Sequence, residues 1–307
     1  MKWYFRLFLF GFIILLIIEG ISLLFIPNKS NLAEFGIYKK SKYELLEEKN
    51  DSVDTIFIGD SLVYSSIVPM HIYHEFGYTS FDCAEAAQTI DDAKDYLNVA
   101  IESQHPKIVF IESDLFYRQI IMSVKRNHYV REIRNFFPIL KFHNNWKQIG
   151  QGESVNVFKG YKLNIKVVPF EGERNLEKTD IKDVPHEDNI KLMKEMIDIC
   201  KKNGIKVILL DINNCDKWTW ARHNYVQEFA DNNEVDYLDL NLEDVGIDWK
   251  TETKDGGKHV NFTGAKKVSN FLGNYIKELN LVEDHRNDEK YSNWDKAYKL
   301  YLEKSLE

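Results

Sequence analysis

The chain has 307 residues, of which 44% are hydrophobic and 13% are aromatic, so it can bury the core of one large domain or of two small ones. The formal net charge of -8, together with the lack of a basic stripe with interleaved aromatic residues, argues against nucleic acid as a partner. The three cysteines stand singly, without CxxC spacing, so neither a zinc site nor a disulfide framework is indicated.

The first predicted element is an apolar helix near the N-terminus. Lys2 and Arg6 precede a long apolar run from Leu7 to Ile26, which at about 1.5 Å per residue spans roughly the 30 Å of a bilayer core. No AxA-like cleavage site is seen, which favours a retained signal anchor over a cleaved signal peptide. We therefore expect residues 1–28 to form a cytoplasmic stub and a single-pass anchor in the cell membrane, with the catalytic body outside the cytoplasm.

Two features of this region leave alternatives open. Four lysines between residues 29 and 42 compete with the basic N-terminus under the positive-inside rule, which makes the orientation less certain than the span. Glu19 lies inside the apolar run, where a carboxyl group is costly, so it either faces a protein partner or is protonated. Plain anchors also tolerate one such residue.

Beyond a predicted linker over residues 29–52, the chain alternates between strand and helix signals. Short β-rich runs (TIFIG, KIVFIE, IKVILLD and VDYLDL) are separated by helix-length segments such as TIDDAKDYLNVAIES and DNIKLMKEMIDICKKNG. Strands that are apolar throughout and alternate with helices predict a parallel sheet that is covered on both faces. The sequence therefore predicts an α/β fold for a domain over residues 53–281.

The alternation is interrupted once and then ends in a polar tail. Between about residues 116 and 185 the chain is aromatic and basic, and the segment VNVFKGYKLNIKVV (155–168) predicts a hairpin. We interpret this region as an insertion over the carboxyl ends of the strands. Residues 282–307 are charged and amphipathic, which predicts a helical tail that packs on the domain.

The first strand ends in a sequence that presents a serine. In TIFIGDSLVYSSIVP (55–69), Gly-Asp-Ser follows the strand and precedes a new apolar pattern. Ligand sites in parallel sheets lie at the carboxyl ends of the strands, which makes Ser61 a candidate nucleophile. Alternatively, Asp60 or Ser61 only caps the following helix.

A second segment supplies the partners that such a serine needs. KDGGKHVNFTGAKKVSNFLGNYI (254–276) places Asp255 and His259 in a glycine-containing loop before the last helix of the predicted sheet domain. A hydroxyl needs an adjacent base to become nucleophilic near neutral pH, and that base needs a carboxylate to orient it. An early serine with a late aspartate and histidine meets this requirement.

These segments resemble the motifs of the GDSL, or SGNH, hydrolase family. IFIGDSL resembles the first family block, whose serine is the nucleophile, and this assigns that role to Ser61. DGGKHVN resembles the last block, usually DxxH, which makes His259 the base and Asp255 the orienting acid. The spacing is one residue longer here, so Asp248 in GIDWKTE is the alternative acid. The resemblance implies a single three-layer, flavodoxin-like domain that needs no cofactor and no metal.

The family's oxyanion hole is only partly matched. It uses the serine amide, a glycine amide from the second block and an asparagine from the third. The second block corresponds to FDCAEAAQTIDDA, with Ala86 or Ala87 where glycine is usual. The third corresponds to VFIESDLF, which has no asparagine, and Gln88 is a candidate for the missing donor. Ser61, Ala87 and Gln88 are therefore the expected oxyanion and binding residues.

A membrane anchor joined to such a domain is similar to extracytoplasmic SGNH proteins of the cell envelope. Some of these resemble the accessory protein of lipoteichoic acid D-alanylation, and others O-acetylate polysaccharides with a multispanning acyltransferase as partner. We expect a serine esterase or O-acyltransferase that acts on acetyl-type esters of envelope polysaccharide or teichoic acid. The alternative is a catalytically weak scaffold that binds a membrane acyltransferase or an envelope polymer.

Three further features each have two interpretations. A basic row could hold an anionic polymer, or it is a solvated helix face (Arg118, Lys125, Arg126, Arg131 and Arg134). Three tryptophans could stack on sugar rings, or they are buried (Trp146, Trp218 and Trp220). Asn261 begins a glycosylation-like Asn-Phe-Thr sequence, but it also fits a helix cap.

Overall fold

The computed structural model describes residues 2–23, 44–118, 133, 136, 137 and 158–306. The chain divides into two compact units, of which one comprises Met1–Tyr43 with Ile120–Val155 and the other Glu44–Gln119 with Asn156–Glu307. Much of the predicted linker and the middle of the predicted insertion lie outside the described residues.

The first unit contains helix α1, which runs over Lys2–Leu23. Its segment Trp3–Ile21 comprises 19 residues with a mean hydropathy of 2.2, so it is long and apolar enough to cross a membrane. A signal sequence near the N-terminus would meet the same criterion.

The second unit is built on a sheet of five parallel strands. They are β1 (Thr55–Gly59), β2 (Ser80–Ala84), β3 (Ile108–Glu112), β4 (Lys206–Asp211) and β5 (Asp236–Asp239). Their order is β2-β1-β3-β4-β5, with every neighbouring pair parallel. This is the strand order of flavodoxin-like folds, so the predicted α/β class and parallel sheet are confirmed.

Helices cover both faces of the sheet. They are α2 (Ser61–Ser66), α3 (Pro69–Phe76), α4 (Ile90–Gln104), α5 (Glu187–Lys202), α6 (Trp220–Asn232), α7 (Phe262–Leu279) and α8 (Ser292–Ser305). On one face, Ile56 and Ile58 of β1 belong to a core with α4, α5 and α6. On the other, Phe57 belongs to a core with α2, α3 and α7. Alternate side chains of each strand thus enter opposite cores, which gives three layers.

The C-terminal tail forms a helix that packs on the domain. In α8, Trp294 and Tyr301 are buried, and the Trp294 ring lies 5.5 Å from the ring of Tyr73 in α3. Burial of large aromatic rings stabilises such a contact beyond the general effect of removing apolar area from water.

The described end of the predicted insertion pairs with helix α2 and with the loop before α7. The Lys162 amide donates to the Tyr64 carbonyl (2.8 Å), the Val168 amide to the Thr253 carbonyl (2.9 Å) and the Phe170 amide to the Trp249 carbonyl (2.9 Å). No strand forms within residues 158–168, so the second arm of the predicted hairpin is wrong, whereas most of the first arm (155–157) lies outside the described residues. The backbone of its second arm is hydrogen-bonded to α2 and to the loop before α7 instead.

Candidate active site

Ser61 begins helix α2 directly after strand β1. The carboxylate of Asp60 accepts a hydrogen bond from the Leu62 amide at 2.8 Å and so caps the helix. Asp60 is fully buried, whereas Ser61 is partly exposed. The capping interpretation therefore applies to Asp60, and the Ser61 hydroxyl is available for other contacts.

The hydroxyl of Ser61 contacts a histidine that lies 198 positions later in the sequence. The Nε2 atom of His259 lies 2.8 Å from the Oγ atom of Ser61, and the Nδ1 atom of His259 lies 2.5 Å from Oδ2 of Asp255. The backbone amide of His259 also donates to Oδ1 of Asp255 at 2.8 Å. The structure thus brings together the serine, histidine and aspartate that the sequence singles out, in one chain of hydrogen bonds.

The electrostatics of Asp255 suit a carboxylate that orients a base. Burial acts to raise the pKa of Asp255, but the two hydrogen bonds from His259 and the charges of His259 and Lys254 outweigh it, so its pKa is lowered. Asp255 is therefore ionised at neutral pH. An ionised carboxylate at Nδ1 leaves Nε2 as the acceptor for the Ser61 hydroxyl.

Two glycines allow the longer spacing between the acid and the base. Gly256 and Gly257 have φ values of 76° and 90°, a region that residues with a Cβ rarely adopt. A Cβ on Gly257 would also lie 2.9 Å from both the Cys215 side chain and the Phe170 ring. The loop turns back at these two residues, so that Asp255 reaches His259 across three intervening positions.

The chain matches no family model and no curated protein. Several solved structures are similar to it at low identity. The psychrotrophic esterase EstA from Pseudoalteromonas sp. is 9% identical, with 74% of this chain and 98% of that chain covered and a TM-score of 0.42. A lipase/acylhydrolase from Enterococcus faecalis is 13% identical (74% and 96% covered, TM-score 0.40). A GDSL-like lipase from Bacteroides thetaiotaomicron is 11% identical (73% and 88% covered, TM-score 0.39).

The position of the site within the fold agrees with the sequence motifs. Ser61 follows the first strand, and Asp255 and His259 share the loop before α7. The chain resembles the SGNH, or GDSL, hydrolases. The resemblance extends over the sheet domain, and its specific part is the two motif segments.

The alternative acid of the SGNH-like domain lies elsewhere. The carboxylate of Asp248 accepts hydrogen bonds from the Lys250 amide at 2.9 Å and from the Thr251 hydroxyl at 2.7 Å. These two bonds lower its pKa, and they close a local turn. None of the described hydrogen bonds joins Asp248 to His259, so the geometry favours Asp255 as the acid.

The two predicted oxyanion residues lie in the loop after β2, at the same edge of the sheet as Ser61. Ala87 has a φ of 53°, the left-handed conformation that explains why glycine is usual at this position in the family. The side-chain amide of Gln88 is buried and donates to the Cys83 carbonyl at 3.3 Å. Within the described residues, neither Ala87 nor Gln88 has a recorded hydrogen bond to Ser61.

At the end of β3, the SGNH-like domain has a carboxyl group near the nucleophile. Glu112 accepts a hydrogen bond from the Asp60 amide at 2.5 Å. Burial, and after it the charge of Asp114, raises the pKa of Glu112 well above its ordinary value, which favours the neutral form of its carboxyl group. A Cβ on Gly59 would lie 2.2 Å from this carboxyl oxygen, so only glycine fits there.

Three carboxyl groups gather beside Ser61, namely those of Asp60, Glu112 and Asp114. Such a group could in principle hold a metal ion, but cationic side chains already contact it. Arg118 forms ion pairs with Asp60 and Asp114, and the Nζ atom of Lys217 lies 3.0 Å from Asp114. Their positive charge compensates the carboxylates, so the residues present do not fit a divalent ion.

The remaining candidates have structural contacts. Arg118 pairs with Asp60, whereas the other four residues of the basic row, and Trp146, lie outside the described residues. The indole of Trp218 is buried and donates to Asp239 at 2.8 Å, and that of Trp220 donates to the Leu176 carbonyl at 2.9 Å. Asn261 accepts from the Thr263 and Gly264 amides, so it caps α7.

Two buried aspartates at the ends of β4 and β5 share a hydrogen-bond network. The Tyr237 hydroxyl lies 2.8 Å from Asp211 and 3.2 Å from Asp239, which also contacts the imidazole of His223 at 2.8 Å. Burial, and after it the charge of Asp239, raises the pKa of Asp211 to about 8. This network joins the carboxyl ends of β4 and β5, on the side of the sheet where Ser61 follows β1.

Two functional candidates were missed in the sequence. Tyr64 lies one helical turn after Ser61; burial raises its pKa, and an interaction with the Ser61 side chain partly offsets this effect. Lys254 donates to the Ser65 hydroxyl at 2.7 Å. The helical spacing from Ser61 could have revealed Tyr64. No local pattern predicts the contact of Lys254, because Lys254 and Ser65 are 189 positions apart in the sequence.

Proposed function

We propose that this protein is a membrane-anchored serine esterase or O-acyltransferase of the SGNH type. Its substrates are acetyl-type esters of a cell-envelope polysaccharide or teichoic acid. The observation that carries the proposal is the hydrogen-bond chain from Ser61 through His259 to Asp255. This is the constellation by which a hydroxyl becomes a nucleophile.

In the proposed reaction, the Oγ atom of Ser61 attacks the ester carbonyl while Nε2 of His259 takes its proton. Asp255 holds the imidazole and stabilises its charged form. The tetrahedral intermediate collapses, the bond to the leaving alcohol breaks, and His259 returns the proton to that oxygen. Water completes hydrolysis of the acyl-serine, whereas a hydroxyl group of an acceptor would complete a transfer.

The oxyanion would be held by backbone amides. We assign this role to the amide of Ser61 and to that of Ala87, which follows the neighbouring strand. Removal of one oxyanion donor costs about a hundred- to a thousand-fold in rate, so the lack of a third-block asparagine predicts a slow enzyme on simple esters. The side-chain amide of Gln88 would have to give up its hydrogen bond to the Cys83 carbonyl before it could donate to the oxyanion.

The cellular setting follows from the N-terminal helix. We propose that α1 is a retained single-pass anchor and that the catalytic domain lies outside the cytoplasm. Glu19 lies within this helix, where a carboxyl group is costly by a few kcal/mol unless another helix offers a polar partner. A multispanning O-acyltransferase that passes acyl groups across the membrane is the partner we propose.

A scaffold without strong catalysis is the second candidate. It is favoured by the segment VFIESDLF, which corresponds to the third family block but lacks the asparagine that the family uses among its oxyanion donors. Such a protein would bind a membrane acyltransferase or an envelope polymer and would not turn over esters.

The full-length chain in a neutral detergent tests these candidates. We expect a fluorophosphonate probe to label it and p-nitrophenyl acetate to be hydrolysed, with both lost in Ser61→Ala. The matched control is Ser66→Ala, a buried serine of the same helix, which should retain labelling. A folded wild-type chain that is neither labelled nor active would favour the scaffold.

The partner is tested in native membranes. A photocrosslinker at Ile18 or Ile21 should capture a multispanning acyltransferase that mass spectrometry identifies, and Glu19→Leu should weaken this capture while the chain stays in the membrane. Ile17→Leu serves as the control. No capture, with full cellular activity after α1 is replaced by an unrelated anchor, would contradict the proposed partner.

A further inference from the structure

Two lysines from distant parts of the chain converge beside the nucleophile. The Nζ atom of Lys162 lies 4.1 Å from the centre of the Tyr64 ring, and that of Lys254 lies 5.8 Å from it. Tyr64 lies one helical turn after Ser61 in the same short helix. Both ammonium groups therefore lie against the helix that begins at the proposed nucleophile.

The backbone fixes both lysines in this position. The Lys162 amide donates to the Tyr64 carbonyl at 2.8 Å, and the Lys254 amide donates to the His259 carbonyl at 3.1 Å. The Nζ atom of Lys254 donates to the Ser65 hydroxyl at 2.7 Å. The pair is thus attached to the nucleophile helix and to the histidine loop, the two elements that form the site.

Neither lysine of this pair has a carboxylate partner of its own within the described residues. Among the described residues, neither ammonium group forms an ion pair with a carboxylate, and the nearby Asp255 is bonded to His259. Burial lowers the pKa of Lys254; the charge of Asp255 opposes this, and that of Lys162 adds to it. Like charges held close together at a partly dehydrated site are unfavourable unless an anion joins them.

We propose that Lys162 and Lys254 bind an anionic group, a phosphate or a carboxylate, that the substrate carries next to the ester cleaved at Ser61. The inference rests on the proposed function and narrows its substrate class to anionic polymers. Three ammonium protons on each lysine suit an oxyanion.

The test compares three acetyl esters on one skeleton, with the full-length chain in a neutral detergent. They are acetylglycerol, which is neutral, acetylglycerol phosphate and acetylglycerate, and release of acetate gives kcat/KM for each. We expect at least one anionic ester to exceed the neutral one by about tenfold or more, since a hydrogen bond to a charged group contributes on that scale. The better anionic ester identifies the group as phosphate or carboxylate.

Variants then assign the preference to the two lysines. Lys162→Met and Lys254→Met should each lower the ratio of anionic to neutral kcat/KM by about tenfold. Lys250→Met is the matched control, since the Nζ atom of Lys250 lies 3.0 Å from Glu171 and its charge is already compensated. The ratio should stay the same in this control, and it should fall in the wild type as salt is raised.

Two results would overturn the inference alone. One is equal kcat/KM for all three esters in a wild type whose Ser61 reacts with the fluorophosphonate. The other is an equal loss for all three esters in the lysine variants, which would mean that the lysines only support Tyr64 and Ser65. If Ser61 is not labelled and no ester is cleaved, the proposed function itself fails and the inference falls with it.

Discussion

Glu112 accepts a hydrogen bond from the backbone amide of Asp60, the residue directly before Ser61. Glu112 is the last residue of β3, Asp60 directly follows the neighbouring strand β1, and both are buried. Burial raises the pKa of Glu112 and so favours its neutral form, which can hold the Asp60 amide without repelling the Asp60 carboxylate. The position of Ser61 therefore depends on a side chain from the next strand of the sheet.

Glu112→Ala should destabilise the domain and misplace Ser61. The change leaves a cavity and an unsatisfied buried amide, so we expect the free energy of unfolding to fall by about 2–4 kcal/mol. Glu112→Gln keeps an acceptor and should stay within about 1 kcal/mol of the wild type. Urea unfolding followed by tryptophan fluorescence measures both, with the exposed Glu102→Ala as control. Equal stability of the alanine variant and the wild type would contradict the role of Glu112.

Asp255→Asn should nearly abolish turnover while the fold is kept. An amide at this position favours the wrong imidazole tautomer, which costs about 10³- to 10⁴-fold in kcat. Asp248→Asn should change the rate by less than about twofold, because that carboxylate only closes its own turn. Hydrolysis of p-nitrophenyl acetate measures both variants. The opposite ranking would transfer the acid role to Asp248.

The stability of the domain should fall as the pH rises from about 4 to about 8. The pKa of Asp211 is about 8 in the folded chain and about 3.9 in an unfolded one, so between these values the folded state holds a proton that the unfolded state releases. Asp211 alone contributes a slope of at most about 1.4 kcal/mol per pH unit. Asp211→Asn, which mimics the protonated form, should remove this contribution in urea unfolding at several pH values. The exposed Asp231→Asn should keep the wild-type slope, and an unchanged slope in Asp211→Asn would exclude Asp211 as its source.

Ala87→Gly should stabilise the domain by about 0.5–1 kcal/mol, because glycine relieves the left-handed strain but adds freedom to the unfolded chain. The proposed oxyanion donor is a backbone amide, so esterase activity should persist. Thermal unfolding and the p-nitrophenyl acetate assay test the two statements separately. Ala86→Gly, one residue earlier and without a positive φ, should not stabilise the domain.

The parallel sheet and the serine-histidine pair could be predicted because they depend on local patterns. TIFIG and IKVILLD are continuous apolar runs, and both form strands of the sheet. The strand SFDCA was not predicted, since Ser80 and Asp82 look polar. This strand lies at the edge of the sheet, where the Lys159 carbonyl accepts a hydrogen bond from the Asp82 amide at 2.9 Å. No local pattern encodes a partner that lies 77 positions away.

The same limit applies to the surroundings of the nucleophile. Ser61 and His259 could be identified from motifs. Glu112 is the last residue of an apolar strand, and from the sequence alone a glutamate there would be expected at the surface. Its burial follows from the absence of a side chain at Gly59, which leaves room for the carboxyl group. Lys162 belongs to a segment that looked like a hairpin, so its proximity to Tyr64 became visible only with the fold.

The pairing of residues 162–170 with the loop before α7 has a consequence for biosynthesis. Val168 accepts a hydrogen bond from the Gly256 amide and donates one to Thr253, so the middle of the chain is bound to the loop that carries His259. That loop reaches Ser61 across 198 positions of sequence. An emerging polypeptide therefore has no assembled site until its last fifth has been made. Fragments that end before His259 lack the proposed base, so they should not react with a fluorophosphonate even where Ser61 is present.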